Sequence, residues 1–297
     1  MGSQAQIPAA RADEDRVTRL RWLVHRLALA GVVLMALLAC VSAYLRLSAA
    51  GVGCAPWPAC YQQPAAPERQ HHPVARLAHR VLASTLGVVV VLIALASMSL
   101  RPRRPMVAGT AFAALALTLG LAGLGGVTST ANTAGVALAN LLGGMALAGL
   151  LFWLAVHSGR SSPQAPPRSR WPAGVILVLV VIQIGLGAFI STTRAAPACP
   201  ALPLCMPAAS QLPAVLHVSH RLVAIALLAT AGTLAATLSR REGRAARSVL
   251  PLAGLLLVQA ASGTLMVALD FPLWLALAHN AGALLLLLAA VWVLAAA

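Results

Sequence analysis

Eight histidines and only six carboxylates make up the reactive inventory of this chain. His79, His220 and His279 fall in or at one end of long apolar segments. An ionisable side chain is costly there and marks a functional site by default. His79 and His220 are each followed by an arginine, Arg80 and Arg221. The acidic residues, Asp13, Glu14, Asp15, Glu68, Glu242 and Asp270, all lie in tails or between segments. A proton relay through a bilayer built from buried acids therefore lacks its parts. What remains is imidazole chemistry, in which neutral ring nitrogens bind a transition metal such as haem iron. His220 and His279 would come from the second and fourth helices of one bundle, which face each other across its core and can clamp one iron from both sides. The nearby arginines are placed to pair with the anionic propionates of a haem.

A plainer reading stands beside this one. A histidine near a helix end is commonly an interfacial hydrogen-bonding residue, and His79 alone supports no more than that. His25 and His157 lie near the opposite ends of their segments and read as interfacial. His71 and His72, in the first connecting loop, would meet a substrate or a propionate if they do anything chemical. His217, one turn before His220, would approach the same haem edge. Gly120, Gly123, Gly125 and Gly126, with Gly143 and Gly144, allow close helix packing or clear room for a flat macrocycle, and packing is the commoner use.

The elements that position these residues follow from composition. The chain has 297 residues, 60% apolar and 9% charged, with mean hydropathy +0.86. Soluble domains carry about 25% charged residues, so a water-soluble globule is excluded, as is disorder, which needs low hydrophobicity. Eight apolar runs of membrane-spanning length are expected near 22–44, 77–99, 106–127, 134–157, 172–192, 215–238, 248–268 and 272–296. No cleavable signal sequence is evident. The fold class is an all-α membrane protein of eight transmembrane helices arranged as two tandem pseudo-symmetric four-helix bundles. Its parts are a cytoplasmic tail (1–21), an N-terminal four-helix half (22–157), a linker (158–171) and a C-terminal four-helix half (172–297).

All 21 basic residues are arginine, and the formal charge is +15. They do not form the single patch that nucleic acid would need. They cluster in the tail and after spans 2, 4 and 6, which by the positive-inside rule places both termini in the cytoplasm of a bacterial-type inner membrane. The loops after spans 1, 3, 5 and 7 are then outside, in an oxidising compartment. Cys54 and Cys60 lie in the first outer loop and Cys199 and Cys205 in the third, each pair with five residues between. Two local disulfides are expected, each contributing about 2 kcal/mol by loop entropy; free thiols are the alternative. That spacing is wider than the usual zinc pair. Cys40, inside span 1, reads as a packing residue.

The chain also repeats. GVGCAPWPAC at 51–60 is similar to APACPALPLC at 196–205, and LAHRVLA at 77–83 to VSHRLVA at 218–224. The offsets are 145 and 141, and 139 between Asn140 and His279. Each unit holds an even number of spans, so the halves have parallel topology, with an axis along the membrane normal.

The run Arg46-Leu47-Ser48, followed by Gly51, Gly53, Cys54, Trp57, Pro58 and Cys60, resembles the first outer loop of haem A synthases. With the duplicated halves, the cysteine loops and the His-Arg steps, the likeness covers roughly residues 22–296. It implies oxidation of the C8 methyl of haem O to the formyl group of haem A by successive hydroxylations, to serve haem-copper oxidases. It implies a haem b between His220 and His279, with Arg46, Arg80, Arg221 and His217 around the cofactors, and His79 as an iron ligand of the substrate haem. Partners implied are the lipid bilayer, haem O, a haem O synthase and an electron donor such as quinol. Two positions depart from the family. Arg76 stands where it usually has glutamate, and Asn140 where it usually has histidine, which places Asn140 with His79 in the catalytic site as a weak ligand. Glu68 is a remote substitute for the carboxylate. The alternative is a non-catalytic haem b-binding electron-transfer or oxidase-assembly protein.

Overall fold

The computed structural model describes residues 6–55, 58–62, 72–100, 104–128, 133–159, 171–199, 205, 211–239 and 244–296. Every regular element among them is helical. Eight helices are long and apolar enough to cross a membrane. They are α1 (Gln6–Ala50), α2 (Pro73–Met98), α3 (Pro105–Thr128), α4 (Ala134–Gly159), α5 (Trp171–Thr192), α6 (Gln211–Ser239), α7 (Arg244–Ala268) and α8 (Leu273–Ala296). The chain is a multi-pass membrane protein. Trp57, Glu68 and His71 lie outside the described residues.

The helices start and stop for local reasons. Pro73 and Pro105 open α2 and α3, where a missing N–H costs nothing. Three helices that precede the cysteine loops or a tight turn end in the same closure, a 6→1 bond around a left-handed residue. In α1 the Val52 N–H donates to the Leu47 carbonyl at 3.0 Å, with Gly51 at φ 83°. In α5 the Ala195 N–H donates to Ile190 at 3.0 Å, with Arg194 at φ 56°. In α7 the Phe271 N–H donates to Met266 at 2.8 Å, with Asp270 and Phe271 both left-handed.

α1 departs from the expected span. It is one 45-residue helix, so the arginine-bearing tail is helical from Gln6, and Arg46-Leu47-Ser48 is its last turn rather than a loop. The tail is rich in alanine and arginine, good helix formers that let the helix extend beyond the apolar run.

Within the first four helices each packs on the next and α1 closes on α4; within the last four each packs on the next and α5 closes on α8. The two rings meet through α4 on α8, α1 on α8 and α4 on α5. Exchanging each helix for the one four places on leaves these pairings unchanged. Each ring has its own apolar core. Leu86, Val90, Ile93, Leu147, Leu151 and Leu154 fill the first, and Ile176, Val180, Leu227, Leu252, Leu287 and Ala290 the second. A third cluster caps the cysteine end, where Ala43, Leu47, Val52, Tyr61, Ala196, Phe271 and Ala276 join both rings. Gly53 belongs to that cap. Its φ is +77°, and a Cβ there would sit 2.9 Å from the Leu273 backbone nitrogen, so the first loop lies directly against the start of α8.

Candidate functional site

α6 and α8 stand diagonally in the second ring, since α5 and α7 separate them on either side. His220 and His279 project from these two helices, and His220 lies within electrostatic range of His279, His217 and Arg221. Each imidazole rests against a glycine of the neighbouring helix. A Cβ on Gly187 of α5 would lie 3.1 Å from His220 Cε1, and one on Gly263 of α7 would lie 3.1 Å from His279 Cε1. Both contacts are tighter than a side chain accepts without displacing the ring.

The hydrogen bonds fix where the lone pairs point. The Gln183 amide nitrogen donates to His220 Nε2 at 3.1 Å. His220 Nε2 is therefore an acceptor and its Nδ1 carries the proton. That Nδ1 is buried with no hydrogen-bond partner. Ser262 Oγ and His279 Nδ1 are 2.9 Å apart, and the Gln259 amide nitrogen donates to the His279 carbonyl at 2.9 Å. Two neutral imidazoles on opposite helices, each in a glycine cradle, are a donor set that suits a haem iron. The expected haem b thus fits the residues present.

The flanking residues divide into those that converge and those that do not. Arg221 donates to the Cys199 carbonyl at 3.3 Å, tying α6 to the third loop. His217 is buried, and its Nε2 is 2.9 Å from the Ala195 carbonyl, so this ring nitrogen faces the loop rather than a cofactor edge. Both disulfides are formed, Cys54–Cys60 with Cα atoms 6.1 Å apart and Cys199–Cys205 with 4.9 Å. Cys40 is a free thiol on the exposed side of α1, not a packing residue. His25 Nδ1 is 2.7 Å from the Ala155 carbonyl, and His157 stacks on Trp153 at 3.8 Å.

Arg46 sits at the junction of the two rings. Its guanidinium donates to Ser191 Oγ on α5 and, at 3.0 Å, to Asn280 Oδ1 on α8, the residue after His279. Asn280 is itself oriented by the hydrogen bond its side-chain nitrogen donates to the Ala276 carbonyl at 2.8 Å. Tyr61 lies beside Arg46 and Arg194. Burial pushes its phenol up from the ordinary value, while Arg194 and Arg46 pull the other way.

In the first ring, His79 is half-buried on the inward face of α2, above Leu86, Val90 and Ile93. Arg76 and Arg80 are exposed, Arg76 nearly one turn before His79 on the same side of α2 and Arg80 about 100° round from it. Asn140 is half-buried near the start of α4. His72 stands just before α2 with its ring edge-on to Tyr44 at 5.1 Å. The glycines separate by role. A Cβ on Gly143 would strike Leu121, and one on Gly144 would press on Met35, so this pair serves close packing. A Cβ on Gly120, Gly123, Gly125 or Gly126 would meet nothing within 4 Å, so packing does not explain those four.

Sequence reasoning missed Gln183, Ser262 and Gln259, which hold the histidines, and Ser191 and Asn280, which hold Arg46. One signal was present. Gln183 and Gly187 recur four residues apart as Gln259 and Gly263, a polar residue and a cradle one helical turn apart in two apolar helices.

Residues 25–291 match the family model of the cytochrome oxidase assembly proteins. A haem A synthase of Shewanella oneidensis is 31% identical over 91% of this chain and 94% of its own length. A haem A synthase of Beijerinckia indica subsp. indica is 32% identical over 46% of this chain and 45% of its own. Another, from a Methylobacterium species, is 35% identical over 46% of this chain and 44% of its own.

Proposed function

The chain belongs to the cytochrome oxidase assembly protein family, and we propose that it is a haem A synthase, a membrane oxidoreductase that converts haem O to haem A for haem-copper oxidases. The observation that carries the reading is the pair His220 and His279, held in matching glycine cradles on helices that face each other. Length and composition alone would fit many membrane proteins. A bis-imidazole site in one ring and a single inward imidazole in the other fit a redox enzyme with one resident haem and one substrate haem.

His220 and His279 would hold haem b, which supplies one-electron transfer when bound. The rest is the work of the chain. His79, on the inward face of α2, would take the iron of haem O and so help to position the substrate. Asn140 would be a weak ligand, so that His79 would be the one strong protein donor to the substrate iron. The exposed α3 glycines, which packing leaves unexplained, would let a flat ligand approach the helix backbone closely. At the cysteine end, Arg46 and the protonated phenol of Tyr61 supply buried donors for propionate carboxylates, and Arg221 does the same from α6. The disulfides Cys54–Cys60 and Cys199–Cys205 brace the chain at this same end. We place the cysteine end on the outer face of the membrane and both termini in the cytoplasm, from the arginine distribution. A haem O synthase would deliver the substrate, and a quinol is the electron donor we favour. The residues divide into an N-terminal half for substrate and a C-terminal half for the resident haem.

Complementation tests this. In a bacterium lacking its own haem A synthase, expression of the chain should restore the a-type absorption of the terminal oxidase. Membranes that keep only haem O, with the protein present and carrying haem b, would instead favour the electron-transfer or assembly role.

A further inference from the structure

α5 and α7 present nearly the same face to their histidines, and one residue differs. On α7, Gln259, Ser262 and Gly263 stand at positions i, i+3 and i+4, all turned to His279. On α5, Gln183 and Gly187 match Gln259 and Gly263, but the position matching Ser262 is Leu186. No hydroxyl therefore meets the His220 ring, whose Nδ1 makes no side-chain hydrogen bond.

The Ser262 hydroxyl has one proton to give. Its oxygen lies 2.9 Å from the Gln259 carbonyl, which can only accept. The proton goes there, so toward His279 the same oxygen must accept. His279 Nδ1, 2.9 Å away, is then the donor and carries the ring proton. The lone pair is left on Nε2. A hydrogen bond from the far ring nitrogen also raises the basicity of a metal-ligating imidazole.

We propose that Ser262 is the positioning residue that fixes the tautomer of His279 and makes it the stronger donor of an unequal ligand pair, with His220 the ligand that exchanges. The proposal rests on the reading of His220 and His279 as a haem site. Gln183 fits the same asymmetry. Its amide occupies the Nε2 lone pair of His220, which must be released when a metal takes that position, whereas the bonds to His279 use only its Nδ1 and its carbonyl and leave Nε2 clear.

The test uses the full-length protein purified in detergent with its haem. Ser262→Ala should raise the reduction midpoint of the low-spin haem, because a less basic imidazole stabilises the ferric iron less. It should also weaken haem retention about tenfold, measured by transfer to excess apomyoglobin, the low end of the usual effect of losing such a partner. Ser262→Thr, which keeps the hydroxyl, should restore both values. Leu186→Ser, which gives His220 Nδ1 an acceptor, should shift the midpoint the other way. A low-spin spectrum with an unchanged midpoint and unchanged transfer rate in Ser262→Ala would overturn the role of Ser262 while leaving the haem site standing. Wild-type protein without a low-spin haem would overturn the site itself, and this proposal with it.

Discussion

Arg46 of α1 donates a hydrogen bond to Ser191 of α5, and the two residues are 145 positions apart. That interval also separates Cys54 from Cys199 and Cys60 from Cys205. Two positions that correspond in the repeat therefore touch, as residues do only where the halves of a duplicated chain meet. Arg46 reaches on to Asn280, so a single guanidinium ties α1, α5 and α8 together beside His279.

Removal of that guanidinium should loosen the junction. Hydrogen bonds from a charged donor contribute about 1.5–3 kcal/mol each when both partners are withdrawn from water. Arg46→Ala should lower the melting temperature of the detergent-solubilised protein, and Ser191→Ala should lower it by less, since Asn280 still holds Arg46. An unchanged melting temperature for Arg46→Ala would show that the junction is held by the apolar contacts of α4 and α8 alone.

His220→Ala and His279→Ala should each abolish the low-spin b-type absorption while the protein still inserts in the membrane. His217→Ala should keep it, because that ring is bonded to the Ala195 carbonyl. Full absorption in either of the first two variants would contradict ligation by the pair.

The glycine cradles make a sharper geometric test. Valine at position 187 or 263 would drive its side chain into an imidazole whose Cε1 already lies 3.1 Å from an ideal Cβ. Gly187→Val and Gly263→Val should reduce haem occupancy severalfold. Gly185→Val, where a Cβ would meet nothing within 4 Å, should not. Equal occupancy in all three variants would mean that the rings do not stand against these glycines when a cofactor is bound.

Of the five cysteines, four are paired and Cys40 is free. Denatured protein alkylated without reduction should gain a single label, on Cys40, and all five after reduction. Labelling of Cys54 or Cys199 before reduction would contradict the closed loops.

Much of this architecture was legible in the sequence, for physical reasons that also mark its limits. A bilayer demands about 20 apolar residues per span, so the eight helices stand out in composition. Paired cysteines at one repeat interval announced both disulfides. The helical tail before residue 22 was not visible as helix, because its charged residues have good helix propensity but no apolar period. Arg46 read as a loop residue because the apolar run ends before the helix does; Gly51 is what stops α1. Gln183 and Ser262 were hidden differently. Each is one polar residue in an apolar helix, and their histidine partners stand 37 and 17 residues away. Only the packing of α5 on α6 and of α7 on α8 brings them together.

The central claim is conversion of haem O to haem A, and it is tested most directly on the haems themselves. The protein should be produced together with a haem O synthase and purified, and its haems extracted and identified by chromatography with mass analysis. Haem A or its hydroxylated precursor beside haem B is the result expected. It would also show that neither a glutamate at position 76 nor a histidine at position 140 is required. Haem B alone, with unconverted haem O accumulating in the same membranes, would contradict the assignment.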